Sequence, residues 1–362
     1  MDKTHGTATG KGETITVYGR LCHCGWSLWR KNMNRVRNTP IVYIILLILL
    51  VGCSEQAPQR IQLSTLEKDA RLFCPVVING HTFNFVLDTG SDQTLINYPK
   101  ALEAGLSPTD SCLQTIGLID RTWKDSVYKS EFCLEIGNIS FPSEILVDNY
   151  RTHIFDYKNF DGILGMNVLS QINWTIDLKK NELLLHPYKK NLLNEGMIPD
   201  LTFEAVNNLF YMNMNLGGLT QKVVLDTGCL MALRLNDYEF LPDLALTNDL
   251  FNQCKKDTAR MVYMEIENKL LMVYDNLEIG KINLPYALMN NEMQNDFFNS
   301  DALLTKSFLD HFDYMVHDTQ KEQIYLCGYN SHIARTEEMG KIHSKIREGY
   351  QKGTLSIEIL KK

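Results

Sequence analysis

The chain has 362 residues, with 36 Lys and Arg against 43 Asp and Glu, a formal net charge of −7. Its 44% hydrophobic and 22% charged residues are ordinary for a globular protein and are enough for two modest domains with buried cores. Residues 1–52 hold seven Lys or Arg and two Asp or Glu, a net +5, so the remainder carries −12. An acidic chain lacks the basic face that nucleic-acid binding requires.

The start of the chain has the pattern of a secretory signal only from Met33 onward. A basic segment follows Met33, and an almost unbroken apolar run then extends from Ile41 to Val51, which is too short to span a bilayer comfortably. Residues 1–32 show no amphipathic period. We therefore expect translation to start at Met33, residues 1–32 to be an untranslated or disordered extension, and residues 33–53 to be a signal peptide.

The end of this signal, Leu50-Val51-Gly52-Cys53, resembles the bacterial lipobox. The resemblance implies that Cys53 is lipidated and becomes the mature N-terminus, which anchors the protein in the bacterial cell envelope, facing the periplasm or the cell surface. Two or more fatty chains hold a protein to a membrane far better than one. An uncleaved signal anchor is the alternative. Residues 54–69 are polar and are predicted to be a tether.

Beyond the tether, short apolar runs separated by turn residues predict an all-β chain. Asn79-Gly80 is a tight-turn sequence between two such runs. In the first half, the predicted hairpins are 73–87, 113–127 and 132–147, followed by a buried strand at 163–164, a helical turn at 167–172 and closing strands within 174–185. The same order of elements recurs from residue 201 onward.

A short acidic motif ends one apolar run in each half, Asp88-Thr89-Gly90-Ser91 in the first and Asp226-Thr227-Gly228-Cys229 in the second. The copies lie 138 residues apart. Two further matches, of residues 134–142 with 277–285 and of residues 161–165 with 301–305, are offset by 143 and 140. Three collinear matches indicate a tandem duplication of a unit of roughly 130 residues. The predicted segments are a first unit 70–187, a linker 188–200, a second unit 201–328 and a tail 329–362.

Each aspartate stands at the tip of a buried strand, where a carboxylate is costly unless it is hydrogen-bonded, paired or used. One Asp-Thr-Gly alone is more often an ordinary turn, but two copies in a duplicated unit suggest a pair that meets. Two adjacent carboxylates share one proton, so together they supply the base and the acid that peptide hydrolysis needs. Gly90 and Gly228 would allow close backbone approach. No metal-ligand spacing occurs, and neither metal nor cofactor is expected.

These motifs resemble the aspartic peptidases. The match consists of Asp88-Thr89-Gly90-Ser91 with Ile163-Leu164-Gly165, and of Asp226-Thr227-Gly228-Cys229 with the weaker Leu303-Leu304-Thr305. The unit length is similar to that of the retroviral type, so the chain looks like two such halves fused, as in bacterial retropepsin-like lipoproteins. The resemblance implies two tandem β-barrel units related by a pseudo-two-fold, with the active site between them.

The resemblance also implies roles for single residues. Asp88 and Asp226 would be the catalytic pair. Thr89 and Thr227 would cross-link the two loops through hydroxyl-to-backbone bonds, and Ser91 would hydrogen-bond the outer oxygen of Asp88. The implied activity is that of an aspartic endopeptidase, which acts as a monomer on a peptide or protein substrate.

A predicted hairpin carries the polar tip Asp120-Arg121-Thr122-Trp123. This tip is a candidate flap that closes over substrate, as lids do in other enzymes, and a plain exposed hairpin is the alternative. Within the tip, Trp123 is the best candidate for a substrate contact.

Two positions of the second half depart from the family pattern. Cys229 stands where the family has Ser or Thr, and a thiol is a poorer hydrogen-bond donor. Thr305 stands where the Gly of the apolar-apolar-Gly element is expected. These departures keep open a second hypothesis, a catalytically weak or inactive protein of the same fold that binds peptides or a partner protein. In a third hypothesis, the first halves of two chains pair with each other.

Overall fold

Strands make up most of the regular structure, as the short apolar runs predict, and the all-β fold class is confirmed. The predicted signal peptide, with Cys53, lies outside the described residues. The computed structural model describes residues 57–66, 69–106, 110–118, 121–148, 160–186, 192–216, 218–229, 233–235, 238–240, 243–256, 261–266, 269–293 and 299–329, and parts of 340–359.

The strands follow the predicted hairpin order in both halves. Those of the first half are β1 Gln59–Gln62, β2 Ser64–Leu66, β3 Asp69–Ile78, β4 His81–Leu87, β5 Thr94–Asn97, β6 Asp110–Leu118, β7 Arg121–Ile136, β8 Ile139–Asp148, β9 Gly162–Leu164, β10 Asn173–Asp177 and β11 Glu182–His186. Those of the second half and the tail are β12 Leu201–Val206, β13 Leu209–Leu216, β14 Leu219–Leu225, β15 Leu233–Leu235, β16 Tyr238–Phe240, β17 Leu244–Thr247, β18 Met261–Ile266, β19 Lys269–Ile279, β20 Ile282–Met293, β21 Ala302–Leu304, β22 Tyr314–Asp318, β23 Gln323–Cys327 and β24 Ile357–Ile359.

Short helices interrupt the strands. They are α1 Tyr98–Glu103, α2 Met166–Leu169, α3 Asn248–Cys254 and α4 Lys306–Leu309, with a 3-10 turn at Leu192–Glu195. The sequence predicts a turn near α2 but neither α1 nor α3. Their local signals are a proline in the first turn of α1 and, for α3, the Thr247 hydroxyl that accepts the N–H of Leu250 at 3.4 Å. Each of these helices directly follows a strand that comes after an Asp-Thr-Gly motif in the chain, β5 for α1 and β17 for α3.

The two halves repeat one arrangement around the strand that precedes each Asp-Thr-Gly. In the first half, β4 runs parallel to β9, with Leu87 opposite Leu164, and β9 also pairs antiparallel with β5. In the second half, β14 runs parallel to β21, with Leu225 opposite Leu304, and β21 pairs antiparallel with β17. Each aspartate therefore leaves the same kind of strand in the same local motif.

A second aspartate fixes this arrangement in each half. Asp161 accepts the N–H of Asn84 through its Oδ2 at 2.8 Å, and Asp301 accepts the N–H of Lys222 in the same way at 3.2 Å. Reciprocal backbone bonds run from Asp161 N to Asn84 O at 2.8 Å and from Asp301 N to Lys222 O at 2.9 Å. Because these two aspartates are aligned in the sequence repeat, the repeat extends to the hydrogen bonds that support each loop.

The halves are joined through one sheet. Its thirteen strands follow the order β1-β11-β10-β22-β23-β12-β13-β14-β21-β17-β20-β19-β18, beside an eight-stranded sheet β2-β3-β4-β9-β5-β8-β7-β6 and a three-stranded sheet β16-β15-β24. At the junction, β10 pairs antiparallel with β22, which places Trp174 opposite His317 and Thr175 opposite Val316. These strands are equivalent in the repeat, so their self-complementary pairing is the one expected across a pseudo-two-fold axis.

The junction between the halves is apolar and stacked. The ring of Trp174 stacks on that of His317 with centroids 5.2 Å apart, and its Nε1–H donates to the carbonyl of Leu169 at 3.0 Å. Burial lowers the pKa of His317, which keeps the imidazole neutral at pH 7. Both halves contribute side chains to one hydrophobic core, so neither half packs independently of the other.

The N-terminal tether is shorter than the sequence predicts. Residues 54–69 include β1 and β2, and the side chains of Ile61 and Leu63 are 7% and 2% exposed. Strand β1 pairs with β11 and forms the edge of the large sheet. Two apolar residues at alternate positions of a polar segment do not distinguish a strand from a linker. For this reason the prediction of a tether over the whole of 54–69 is wrong.

Candidate active site

Both Asp-Thr-Gly loops begin where a parallel strand pair ends. The N–H of Asp88 donates to the carbonyl of Leu164 at 3.1 Å, and the N–H of Asp226 donates to the carbonyl of Leu304 at 3.0 Å. These bonds continue the β4–β9 and β14–β21 ladders by one residue. The backbone of each aspartate is thus held by a rigid strand, which is the support that a precise catalytic geometry needs.

Four hydrogen bonds link the two loops through their threonines. The Thr89 hydroxyl donates to the carbonyl of Leu225 at 2.9 Å, and the Thr227 hydroxyl donates to the carbonyl of Leu87 at 2.7 Å. Each hydroxyl also accepts a backbone N–H from the opposite loop, that of Thr227 onto Thr89 at 3.2 Å and that of Thr89 onto Thr227 at 3.0 Å. The hydroxyl-to-backbone bonds expected for these residues are present in both directions.

The glycines of the motif lie against the opposite carboxyl groups. A Cβ atom built on Gly90 would stand 2.3 Å from Cγ of Asp226, and one built on Gly228 would stand 2.2 Å from Cγ of Asp88. No side chain fits at either position, so these two residues must be glycine for the loops to approach this closely. The two carboxyl groups hydrogen-bond each other across this contact.

The paired carboxyl groups do not titrate as ordinary aspartates. Burial raises the pKa of Asp88 above 3.8, although the hydrogen bond from Asp226 acts to lower it. Burial also raises the pKa of Asp226 well above 3.8, and the adjacent Asp88 charge and hydrogen bond add to the rise. Two buried carboxylates in contact cannot both be ionised at low cost.

Comparison with known proteins finds a family model that matches part of the chain. Residues 74–168 match the family model described as aspartyl protease. This part of the chain is similar to the aspartyl proteases. The aspartic proteinase from Irpex lacteus is a structural neighbour, 15% identical, with a TM-score of 0.45 over 76% of this chain and 99% of that chain. No curated protein matches the chain in sequence.

The matched stretch contains the first aspartyl protease motif, while Cys229 and the second motif follow it in the chain. The carboxyl group of Asp226 does not depend on the Cys229 thiol. Its Oδ1 accepts backbone N–H groups from Gly228 and from Cys229, both at 2.9 Å. A backbone donor at residue 229 is present whatever the side chain, so the substitution of thiol for hydroxyl leaves these two bonds in place.

Thr305 replaces a family glycine without disturbing the loop. In the first half, a Cβ atom on Gly165 would stand 2.1 Å from the carbonyl oxygen of Gln93, so only glycine fits there. In the second half, Thr305 precedes α4, and its hydroxyl accepts the N–H of Ser307 at 3.2 Å. Asp243 supplies the neighbouring carbonyl, which accepts the N–H of Thr305 at 3.0 Å. The second half has therefore replaced a tight backbone contact by a helix cap.

Ser91 makes a different bond from the one that the aspartyl protease resemblance implies. Its hydroxyl donates to the carbonyl of Gln93 at 2.7 Å, within its own loop, rather than to Asp88. The backbone N–H of Gly90 donates to Asp88 Oδ1 at 2.8 Å. The expectation for Ser91 was wrong because a hydroxyl has one hydrogen, and the loop carbonyl two residues away takes it.

The hairpin with the candidate flap is present, but its tip is only partly described. Strands β6 and β7 pair in register, with Leu118 opposite Arg121, Gly117 opposite Thr122 and Ile116 opposite Trp123. Asp120 lies outside the described residues, and so do the side chains of the other three tip residues. The second half has the equivalent hairpin, formed by β18 and β19. The flap role stays a prediction.

Sequence reasoning missed a cation, Arg71, whose charge acts on the first aspartate. In the β3–β4 ladder Phe73 lies opposite Val86, so the same register sets Arg71 opposite Asp88. The guanidinium Cζ of Arg71 stands 5.0 Å from the ring centroid of Phe160, and its charge lowers the pKa of Asp88. The sequence signal was the register of the β3–β4 hairpin. Counting outward from its Asn79-Gly80 turn identifies Arg71 as the residue that would lie opposite Asp88.

None of the helices among the described residues combines the length and the apolarity needed to cross a membrane.

Proposed function

We propose that this protein is an aspartic endopeptidase that hydrolyses peptide bonds with a water molecule activated by Asp88 and Asp226. The observation that carries the proposal is the contact between the two carboxyl groups, each packed against the glycine of the opposite loop. A pair that shares one proton presents a base and an acid at the same place, which is the requirement for direct attack of water on an amide.

In the first step, the ionised carboxylate takes a proton from the water, and the water oxygen bonds to the carbonyl carbon of the substrate. The protonated carboxyl group donates its proton to the carbonyl oxygen. The product is a neutral tetrahedral diol, and the shared proton has moved from one aspartate to the other. The cross-linked loops keep the two carboxyl groups in one geometry throughout this exchange.

In the second step, the carboxyl group that received the water proton donates it to the amide nitrogen, and the C–N bond breaks. The other carboxylate takes a proton from a diol hydroxyl, which becomes the carbonyl of the new carboxylic acid. The amine and acid products leave, and the pair again holds one proton. Both steps move protons between the aspartates and the substrate while water adds across the C–N bond. No oxidation state changes, and the aspartates supply the acid and the base, so neither step needs a metal or a redox partner.

The test is proteolysis by the full-length protein, its Asp88→Asn variant and its Asp226→Asn variant, measured on a broad peptide mixture across pH 3 to 8. Each variant removes one half of the proton exchange, so we expect a loss of at least about a hundredfold in kcat/KM. Asp249→Asn is the matched control, because Asp249 is an exposed carboxylate on α3. Its activity should equal that of the unchanged protein.

Inhibition by a statine-type transition-state mimic is the second readout. Such a compound places a hydroxyl group where the attacking water stands, so it should compete with substrate in the unchanged protein. Absence of cleavage at every pH, together with binding of peptides, would establish the alternative of a catalytically inactive binding protein. The two departures that suggested this alternative leave the hydrogen bonds of Asp226 in place.

The proposed enzyme acts as a monomer at the bacterial cell envelope, held to the membrane by lipids on Cys53. The monomer follows from the presence of both aspartates in one chain, and the anchor rests on the lipobox-like sequence. Metabolic labelling with a radioactive fatty acid should mark the protein and not its Cys53→Ala variant. Light scattering on the detergent-solubilised protein should give the mass of one chain, whereas a dimer mass would contradict the monomer.

A further inference from the structure

The two aspartates of the pair have unequal surroundings. Asp226 Oδ1 accepts two backbone N–H groups from its own loop, those of Gly228 and Cys229, whereas Asp88 Oδ1 accepts that of Gly90 from its own loop. The positive charge of Arg71 acts on Asp88. Extending the β3–β4 register by two residues, from the Phe73–Val86 pair past the end of β4, sets Arg71 opposite this aspartate.

The second half has an apolar residue at the position of this arginine. In the β13–β14 ladder, Tyr211 lies opposite Val224, so the same count of two residues sets Leu209 opposite Asp226. Arginine in one half and leucine in the other at equivalent strand positions break the two-fold symmetry of the electrostatic field at the pair. A duplicated unit with identical halves would have no such preference.

We propose that Arg71 is a positioning residue that holds the negative charge of the pair on Asp88 and leaves the shared proton on Asp226. The inference rests on the proposed peptidase function and deepens it. Asp88 becomes the base that takes a proton from the attacking water, and Asp226 becomes the acid that protonates the substrate carbonyl. Each half of the duplicated unit therefore has a distinct chemical role.

The guanidinium of Arg71 is placed by aromatic packing. It stands 5.0 Å from the ring centroid of Phe160, and this ring in turn packs on Phe73 at a centroid distance of 6.3 Å. Both rings are buried. A guanidinium stays protonated at every pH at which the pair titrates, so its field on Asp88 is constant. An opposite charge close to a carboxyl group favours the ionised form.

Apart from Arg71, the groups that lower the pKa of Asp88 are hydrogen-bond donors of the two loops. From the opposite loop, the Asp226 carboxyl and the Gly228 N–H hydrogen-bond to Asp88 and lower its pKa. Strand β9, which pairs with β4 on the side away from β3, is Gly-Ile-Leu and has no charged side chain. Asp92 is the next carboxylate along the loop, and burial raises its pKa. Arg71 is thus the cation that acts on the pair among the described residues that influence Asp88.

The proposal predicts which step of the titration responds to Arg71. When the doubly protonated pair loses its first proton, that proton leaves Asp88, so the first apparent pKa contains the full effect of the arginine. The second proton leaves Asp226, with Asp88 already ionised, so the second apparent pKa does not. The first step appears as the acid limb of the pH profile of kcat/KM, and the second as the basic limb.

The experiment compares the pH profiles of the full-length protein and its Arg71→Leu variant, which copies the residue of the second half. We expect the acid limb to move to higher pH by roughly half a unit or more while the basic limb stays in place. Arg71→Lys keeps the charge and should restore the acid limb, which a purely structural role of the arginine would not do. Arg71→Gln provides a second neutral variant with different packing.

Lys222 supplies the matched control. It is a cation of the second half that lies over an aromatic ring, 4.1 Å from the centroid of Tyr211, but it is four residues before Asp226, about 13 Å along the strand. Lys222→Leu removes the same charge from a similar packing site and should leave both limbs unchanged. Movement of the basic limb alone in Arg71→Leu would overturn the proposal, because it would place the first ionisation on Asp226. So would an unmoved profile.

A measurement that needs no turnover separates this proposal from the proposed activity. In protein labelled with ¹³C at aspartate carboxyl carbons, the signals of Asp88 and Asp226 are assigned by the two Asp→Asn variants and followed against pH. Arg71→Leu should raise the pKa of the signal that titrates first, and that signal should be the one missing in Asp88→Asn. If the chain cleaves no peptide but shows this shift, the activity fails and the charge assignment stands.

Discussion

The hydroxyl of Thr227 donates a hydrogen bond of 2.7 Å to the carbonyl oxygen of Leu87, which lies 140 residues earlier in the chain. Leu87 is the last residue of the strand that leads to Asp88, so this bond ties the second Asp-Thr-Gly loop to the strand that leads into the first. Its counterpart runs from the Thr89 hydroxyl to the carbonyl of Leu225 at 2.9 Å. The separation of the two carboxyl groups is therefore set by the threonines as well as by the aspartates.

Thr227→Ala is expected to destabilise the protein by about 1–3 kcal/mol, because it leaves the Leu87 carbonyl and the Thr89 N–H buried without this partner. Thr227→Ser keeps the hydroxyl and should recover most of the loss. Urea unfolding measures both. Thr202→Ala, at an exposed position of β12, is the control and should change the free energy of unfolding by less than about 0.5 kcal/mol. Equal stability of the Ala and Ser variants at residue 227 would contradict the cross-link.

Gly90→Ala is expected to abolish activity without removing any catalytic group. The new methyl group would stand 2.3 Å from the carboxyl carbon of Asp226, so the two loops must separate. A misplacement on the order of 1 Å costs about a hundredfold in rate, and overpacking costs about 1–3 kcal/mol in stability. The readouts are kcat/KM and thermal unfolding.

Gly196→Ala is the control for the alanine at residue 90. Gly196 has open space around it but a φ of +88°, so an alanine there costs about 1 kcal/mol of backbone strain. It should lose stability and keep activity. An active Gly90→Ala enzyme would show that the carboxyl groups do not lie this close in solution.

The pH dependence of stability follows from the raised pKa of Asp226. A carboxyl group with a folded-state pKa above its unfolded value of 3.8 stabilises the protein below that value, and this contribution is lost as pH rises through the folded pKa. Asp226→Asn copies the protonated form and cannot ionise. Relative to the unchanged protein, the variant should therefore gain stability between pH 4 and pH 7, by about 1.4 kcal/mol for each unit of the shift. Chemical unfolding at several pH values measures the gain, and a pH-independent difference would contradict it.

The repeat made most of the fold predictable. Apolar runs and turn residues predict the hairpins, and the second copy of each motif predicts that β14 and β21 repeat β4 and β9. The aspartates, threonines and glycines of the site came from the same repeat. A motif that occurs once is ambiguous, but a collinear second copy fixes the strand order and the pairing of the loops.

Features that depend on tertiary contacts were not predictable. The bond of Ser91 to Gln93 is decided by which acceptor stands nearer in the folded loop. A threonine at residue 305 is accommodated next to Asp243, whose carbonyl accepts its N–H. The chain between Asp226 and Asp243 is longer than the equivalent stretch between Asp88 and Gln93 in the first half. Strand β24 lies in the tail, and its partner β15 is more than 120 residues away. Side-chain competition and long-range pairing leave no local signal.

The difference between Gly165 and Thr305 yields a prediction that compares the two halves directly. Gly165→Ala puts a methyl group 2.1 Å from the Gln93 carbonyl oxygen, a backbone atom that cannot rotate away, so we expect a loss of about 3 kcal/mol or more. Thr305→Ala removes only the hydroxyl that caps α4, at an expected cost of about 1 kcal/mol. Thr305→Gly, which restores the family residue, should not raise activity, because the N–H of Asp226 already donates to the Leu304 carbonyl. Urea unfolding and kcat/KM test the three variants together, and an activity gain in Thr305→Gly would mean that the second loop is held wrongly in the natural chain.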